Sequence, residues 1–245
     1  MTTEITALQG SLPVTDSRAL SLLTTEHFTL QGLRSSTISD SSSRASLYLA
    51  SISGTLVALS LLGNATRLGP PFVIAALIIA PTLIFLGLAT FARVLQSALE
   101  DAFYAMGINR IRHLYLELVP EFRPYLLQSD HDDIWGVLAN MGSSRGGPGQ
   151  LMLTTAGAVG IINSVLIGSF AAGLVLAVSA LTFTASLGVG FLVFGISAGL
   201  HYRVQQRAWR AFSKRHPALF PSGTVPTKLV TGQQSGSTSL IDSAP

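Results

Sequence analysis

The chain has 245 residues, 11% charged and 48% hydrophobic, with a mean hydropathy of +0.50; a water-soluble domain carries about 25% charged residues, so this is the composition of a membrane protein. Fifteen basic residues against twelve acidic ones leave +3 at neutral pH, too small an excess to indicate nucleic acid without a recognition motif. Cysteine is absent, which excludes disulfides, thiolate nucleophiles and Cys-ligated zinc.

Residues 1–23 are polar and Ser/Thr-rich, are interrupted by Pro13, and read as a disordered tail. Met1 to Ser43 contains no apolar run of signal-peptide length, so the first span is expected to serve as the targeting signal. Phe28, Leu33 and Ile38 recur loosely enough for a cytosolic helix over 24–44 despite the serines between them, running on into the first span. Spans follow over 45–63 and 71–92, joined by a turn from Gly63 to Pro71. Pro81 lies inside the second and is expected to kink it, because it removes a backbone donor.

Residues 93–150 form the sizeable cytosolic part. Leu95, Leu99, Phe103 and Met106, then Ile111, Leu114, Tyr115 and Leu118, have helical spacing with a slip near Gly107, and charged residues occupy the opposite face. The first reading is an amphipathic helix packed on other cytosolic helices; a membrane-surface helix is the alternative. Pro120 and Pro124 end it, Ser129 and Asp130 cap a short helix over Asp132 to Met141, and Ser143 to Gly149 is a linker.

From Leu151 to Leu200 no residue is ionisable. Fifty helical residues extend about 75 Å, more than twice a hydrocarbon core of about 30 Å, so two spans are expected at 153–176 and 181–202 with a turn near Leu176 to Leu181. The fold class is therefore all-α, a polytopic membrane protein of four transmembrane helices in two hairpins with a cytosolic amphipathic helix between them. No carboxylate, Lys or Arg lies within any span, which argues against ion-coupled transport. Thr154, Thr155, Asn163, Ser164 and Ser169 bring polarity to the third span and are expected to bond to neighbouring helices or their own backbone.

Small residues recur at four-residue spacing: Ser46, Ala50, Gly54 and Ala58 in the first span, Ser169 and Gly173 in the third, and Gly195 and Gly199 in the fourth. Such faces let helix backbones approach closely. Packing within the four-helix bundle is the first reading, and a homo-oligomer contact the second. After the fourth span, 203–216 is a basic juxtamembrane helix with Arg203, Arg207, Arg210 and Lys214 on one face. The plain reading is a topology anchor; lipid-head-group binding is the sharper one. Residues 217–245 read as a second disordered tail.

Fourteen of the fifteen Lys and Arg residues lie before, between or after the two hairpins, and only Arg67 lies in a hairpin turn. The positive-inside rule then puts both termini and the central segment in the cytoplasm of a plasma (inner) membrane. His131, Asp132 and Asp133, beside Asp130, make the one cluster that invites a metal or catalytic reading. Adjacent residues on a helix do not share a face, and no downstream Glu completes a calcium loop. Helix capping and dipole compensation are the better reading. His27, His113, His201 and His216 read as surface or interfacial residues. With no G-x-S-x-G, phosphate loop or dinucleotide fingerprint, the chain is not read as an enzyme and no cofactor is expected.

Phe91 to Asp101, Asn109 to Glu117, Arg44 to Leu49 and His131-Asp132-Asp133 together resemble a group of uncharacterised four-span proteins of high-G+C bacteria, over roughly residues 25–205. A more distant likeness is to two-span effector modules proposed to disrupt membranes in nucleotide-signalling systems. The resemblance implies no activity and no site residues. Membrane lipids are the expected partners, with a second copy or a cytosolic protein docking through 93–142. The function expected is a membrane scaffold, and the alternative an oligomeric pore or membrane effector.

Overall fold

Ser17 opens a helix that does not end until Thr66, and the Asp16 carboxylate caps its start by accepting the Arg18 N–H. The computed structural model describes residues 16–140, 148–179 and 182–223. Most of the expected N-terminal tail, most of the Ser143–Gly149 linker, and the C-terminal tail beyond 223 lie outside those residues. The elements are α1 (Ser17–Thr66), α2 (Pro70–Leu118), a 3-10 turn (Pro120–Tyr125), α3 (Ile134–Asn140), α4 (Pro148–Leu153), α5 (Thr155–Val178) and α6 (Phe183–Arg215). No strand occurs among the described residues. Helices α1, α2, α5 and α6 are each long and apolar enough to cross a membrane, so this is an all-helical, multi-pass membrane protein.

Tertiary contacts explain why α1 runs straight through its serines. It lies antiparallel to α2, with Tyr48 beside Gly87, Arg34 bridged to Asp101 at 2.7 Å, Leu30 over Gly107 and His27 stacked on Tyr115. Packing on a neighbour outweighs the weak helix propensity of serine. The helix thus begins at Ser17, within the expected tail, and Gly63 to Thr66 belong to it and not to the turn. Arg67 and Leu68 make the turn, both left-handed at φ 49° and 58°. Their N–H groups return to Asn64 and Gly63, and the Leu68 side chain covers Gly63. Gly69 then leads into Pro70 and Pro71 at the first helical positions of α2, where no N–H is needed.

Pro81 sits inside α2 without breaking it, and residues 93–118 are the continuation of that helix and not a separate amphipathic one. At about 1.5 Å per residue α1 and α2 are each roughly 75 Å long, far more than a bilayer core of about 30 Å. The surplus of both lies beyond the 45–92 region, at the end where the basic residues gather. Helix α3 begins one residue after Asp133, whose carboxylate accepts the Gly136 N–H; Ser129 and Asp130, the expected caps, serve elsewhere. Thr154 caps α5 and Thr182 caps α6. The expected turn near Leu176 to Leu181 falls between Val178 and Phe183, with Ala180 and Leu181 outside the described residues. Basic residues 203–215 belong to α6, which continues without interruption to Arg215.

Two apolar clusters hold the molecule together. Tyr48, Phe91, Val94, Leu95, Ala156 and Val159 join α1 and α2 to α5. Ala102, Ala105, Met106, Val137 and Phe212 join α2 to α3 and α6 further along. In contrast, only 11–17% of each apolar window in the four long helices is buried, so most of the spanning surface is left for lipid or for other chains.

Candidate functional site

The acidic cluster lies where α2, the loop before α3 and the segment after α6 converge. Asp132 is fully buried. Its Oδ2 accepts from Arg110 Nε at 2.6 Å and from the Leu219 N–H at 2.9 Å, and its Oδ1 accepts the Phe220 N–H at 2.7 Å. The Asp132 N–H donates to the Phe220 carbonyl at 3.2 Å, and Arg110 Nη2 donates to that of Pro217, also at 3.2 Å. Asp133 caps α3 with one oxygen and with the other accepts from the Ser222 N–H and hydroxyl. Asp130 accepts from His113 Nδ1 at 2.9 Å, and the His113 ring stacks on Phe220 with centroids 4.0 Å apart.

Residues 217–222, read from sequence as tail, are thus a strap tied to the Asp130–Asp133 loop. Burial alone would raise the Asp132 carboxyl, but the Leu219 and Phe220 N–H groups and Arg110 hold it below the ordinary value. Asp130 is likewise held down against its own burial, by His113 first and then by backbone and nearby cations. The capping reading of this cluster is therefore corrected: of its aspartates only Asp133 accepts a helix N–H, and Asp130 and Asp132 bond elsewhere. His131 offers its carbonyl to Asn109 Nδ2. Among the described residues no three His, Asp or Glu side chains gather as they would around a metal.

A second polar group lies within the spans. The Tyr48 hydroxyl donates to Asn163 Oδ1 at 3.1 Å, in a space that a Cβ on Gly87 would fill. Ser164 donates to its own helix at Gly160 and lies 3.0 Å from the Ser197 hydroxyl. His201 Nδ1 lies 2.9 Å from the Ser197 carbonyl, which can only accept, so Nδ1 carries the proton. His201 Nε2 and Asn163 Nδ2 are buried without a partner among the described residues. Gln205 donates to the Leu151 carbonyl and the Thr154 hydroxyl, bracing the break between α4 and α5. Of the histidines read as surface or interfacial, His201 is buried, and His113, on α2, is engaged by Asp130 and by Phe220 of the strap. Sequence flagged Asn163 and Ser164 as polar intruders; their partners Tyr48, Ser197 and His201 carried no local signal.

Arg203, Arg207, Arg210 and Lys214 are all exposed, and none forms an ion pair among the described residues. The small-residue faces are reversed from expectation. Ser46, Ala50, Gly54 and Ala58 are exposed, as are Gly195 and Gly199, and nothing lies within 4 Å of a Cβ placed on Gly54, Gly195, Gly199 or Gly173. The close approach of α5 and α6 is made instead by Gly168 and Gly190, where a Cβ on Gly168 would stand 2.7 Å from the Gly190 carbonyl oxygen. No family profile, curated protein or solved structure matches the chain.

Proposed function

We propose that this chain is a scaffold of a plasma (inner) membrane, with both termini cytoplasmic and a helical module that presents a docking surface to a cytosolic protein. The observation that carries the reading is a set of bulky apolar side chains left in the open on the module. Phe122 is 52% exposed, Tyr125 80%, Leu127 99% and Trp135 56%. Aromatic residues of this kind are enriched in interface cores and among the residues that dominate binding. Leu118 is about 39 Å along α2 from Ala92, and the turn that carries Phe122 and Tyr125 follows it directly, so a helix near the membrane normal holds these two well clear of the bilayer. Trp135 lies on α3 beside the 102–106 stretch of α2. The strap and the Asp132 network fix the loop that carries them. A photo-crosslinking residue at Leu127 of the full chain should give a discrete protein adduct in cells, lost on Phe122→Ser with Trp135→Ser and absent from exposed Ser213. The same products at Leu127 and Ser213 would remove the docking reading.

One observation favours a second reading, an oligomeric assembly in the membrane. The ridges at Ser46–Ala58 and Gly195–Gly199 are unused within the chain, and small-residue ridges let a second copy approach closely.

A further inference from the structure

Where α6 passes α2 and α5, a cleft of about 410 Å³ opens, walled by Leu88, Phe91, Ile167, Ile196, Leu200 and Val204. Leu88, Ile196, Leu200 and Val204 are exposed at its rim, so it opens sideways, toward lipid. Ser197 and His201 border it as well, but the surface it exposes is wholly apolar.

The cleft does not end in a neutral surface. Ile196, Leu200, Arg203 and Arg207 follow at i, i+4, i+7 and i+11, one face of α6. Arg203 and Arg207 rise about 3 Å and about 9 Å beyond His201, the depth of a headgroup layer of roughly 5–8 Å. Arg210 and Lys214 rise about 14 Å and about 20 Å, past that layer and near or beyond the screening length of about 8 Å. The four-residue basic face therefore divides into two that reach phosphate and two that do not.

We propose that the cleft, Arg203 and Arg207 form one site for an anionic phospholipid, with an acyl chain in the cleft and the phosphate held by the two guanidinium groups. The inference takes only the cytoplasmic leaflet from the orientation proposed above; the cleft and the two arginines do not depend on the docking surface.

Native mass spectrometry of the full chain in mild detergent tests it, comparing phosphatidylglycerol with phosphatidylcholine of the same acyl chains. Phosphatidylglycerol should be retained roughly 10- to 30-fold more strongly, as two cations near an anionic headgroup imply. Arg203→Gln with Arg207→Gln should erase that preference, while Arg210→Gln with Lys214→Gln should keep it. Leu200→Trp, at a lipid-exposed position that leaves folding intact, should lower retention of both lipids, and excess glycerol 3-phosphate should displace neither. Equal retention of the two lipids by the unaltered chain would overturn the site. So would full retention by Leu200→Trp, loss of preference in the Arg210/Lys214 variant, or displacement by glycerol 3-phosphate. None of these outcomes bears on crosslinking at Leu127.

Discussion

Asp132 ties three separate stretches of the helical module together, α2, the loop before α3 and the segment after α6. It is fully buried, yet it meets one guanidinium and two backbone N–H groups. Asp132→Ala removes all three at once, and hydrogen bonds to a charged group contribute about 1.5–3 kcal/mol each before relaxation. Arg110 is partly exposed and can rehydrate, so we expect a net loss of roughly 2–4 kcal/mol, read as amide-exchange protection at Leu219 and Phe220 falling at least about tenfold. Unchanged protection would show that the strap is held by other groups. The pH dependence has one sign. Because Asp130 and Asp132 titrate below the ordinary carboxylate value of 3.8, their stabilisation is complete above that value and is lost as pH falls through the lower, folded one. The share of strap protection that these two carboxylates supply should therefore be lost only under acid conditions, below their ordinary value. The cluster itself was legible as the one dense acidic run. Its partners, 22 residues back at Arg110 and 87 or 88 residues on at Leu219 and Phe220, left no trace in any local pattern, and so the strap read as tail.

At the scale of the element, hydropathy located all four long helices, because a bilayer imposes a length of apolar sequence that composition alone reveals. Their continuity was harder to read. Serines in α1 and the phase slip at Gly107 in α2 look like weak points locally, whereas the Arg34–Asp101 pair and Leu30 over Gly107 bind the two helices together there. Faces were hardest. A span apolar all round gives no periodicity to orient it, so the Gly195–Gly199 spacing identified a ridge without saying where it points. The intramolecular crossing uses Gly168 and Gly190, two glycines in no repeat with each other. Gly168→Ala should consequently force α5 and α6 apart at a cost of about 1–3 kcal/mol, seen as a lowered unfolding midpoint in detergent. Gly195→Leu with Gly199→Leu should leave that midpoint within error and act only on assembly, converting any oligomer to monomer by mass measurement. The converse result, a stable Gly168→Ala chain and an unfolded Gly195/Gly199 variant, would mean that α6 is rotated from the arrangement described.

The whole molecule is built unevenly along its length, and that gradient bears on orientation. Packing is concentrated where Tyr48, Phe91, Val94 and Val159 meet, and in the module beyond it, while only 11–17% of each apolar window of the long helices is buried. The basic residues sit at the densely packed end. Both features agree with the orientation proposed above, in which the folded bulk lies on one side of the bilayer and the positive-inside rule makes that side cytoplasmic. Since the chain has no cysteine, single introduced cysteines report on this without background. Leu127→Cys, at the most exposed apolar position of the module, should react with a membrane-impermeant maleimide only after the cells are opened. Leu68→Cys, in the exposed turn between α1 and α2, should react on intact cells. Labelling of Leu127→Cys on intact cells would reverse the orientation. It would also leave the docking surface facing outward, away from any cytosolic partner, so this one experiment constrains both the topology and the proposed role.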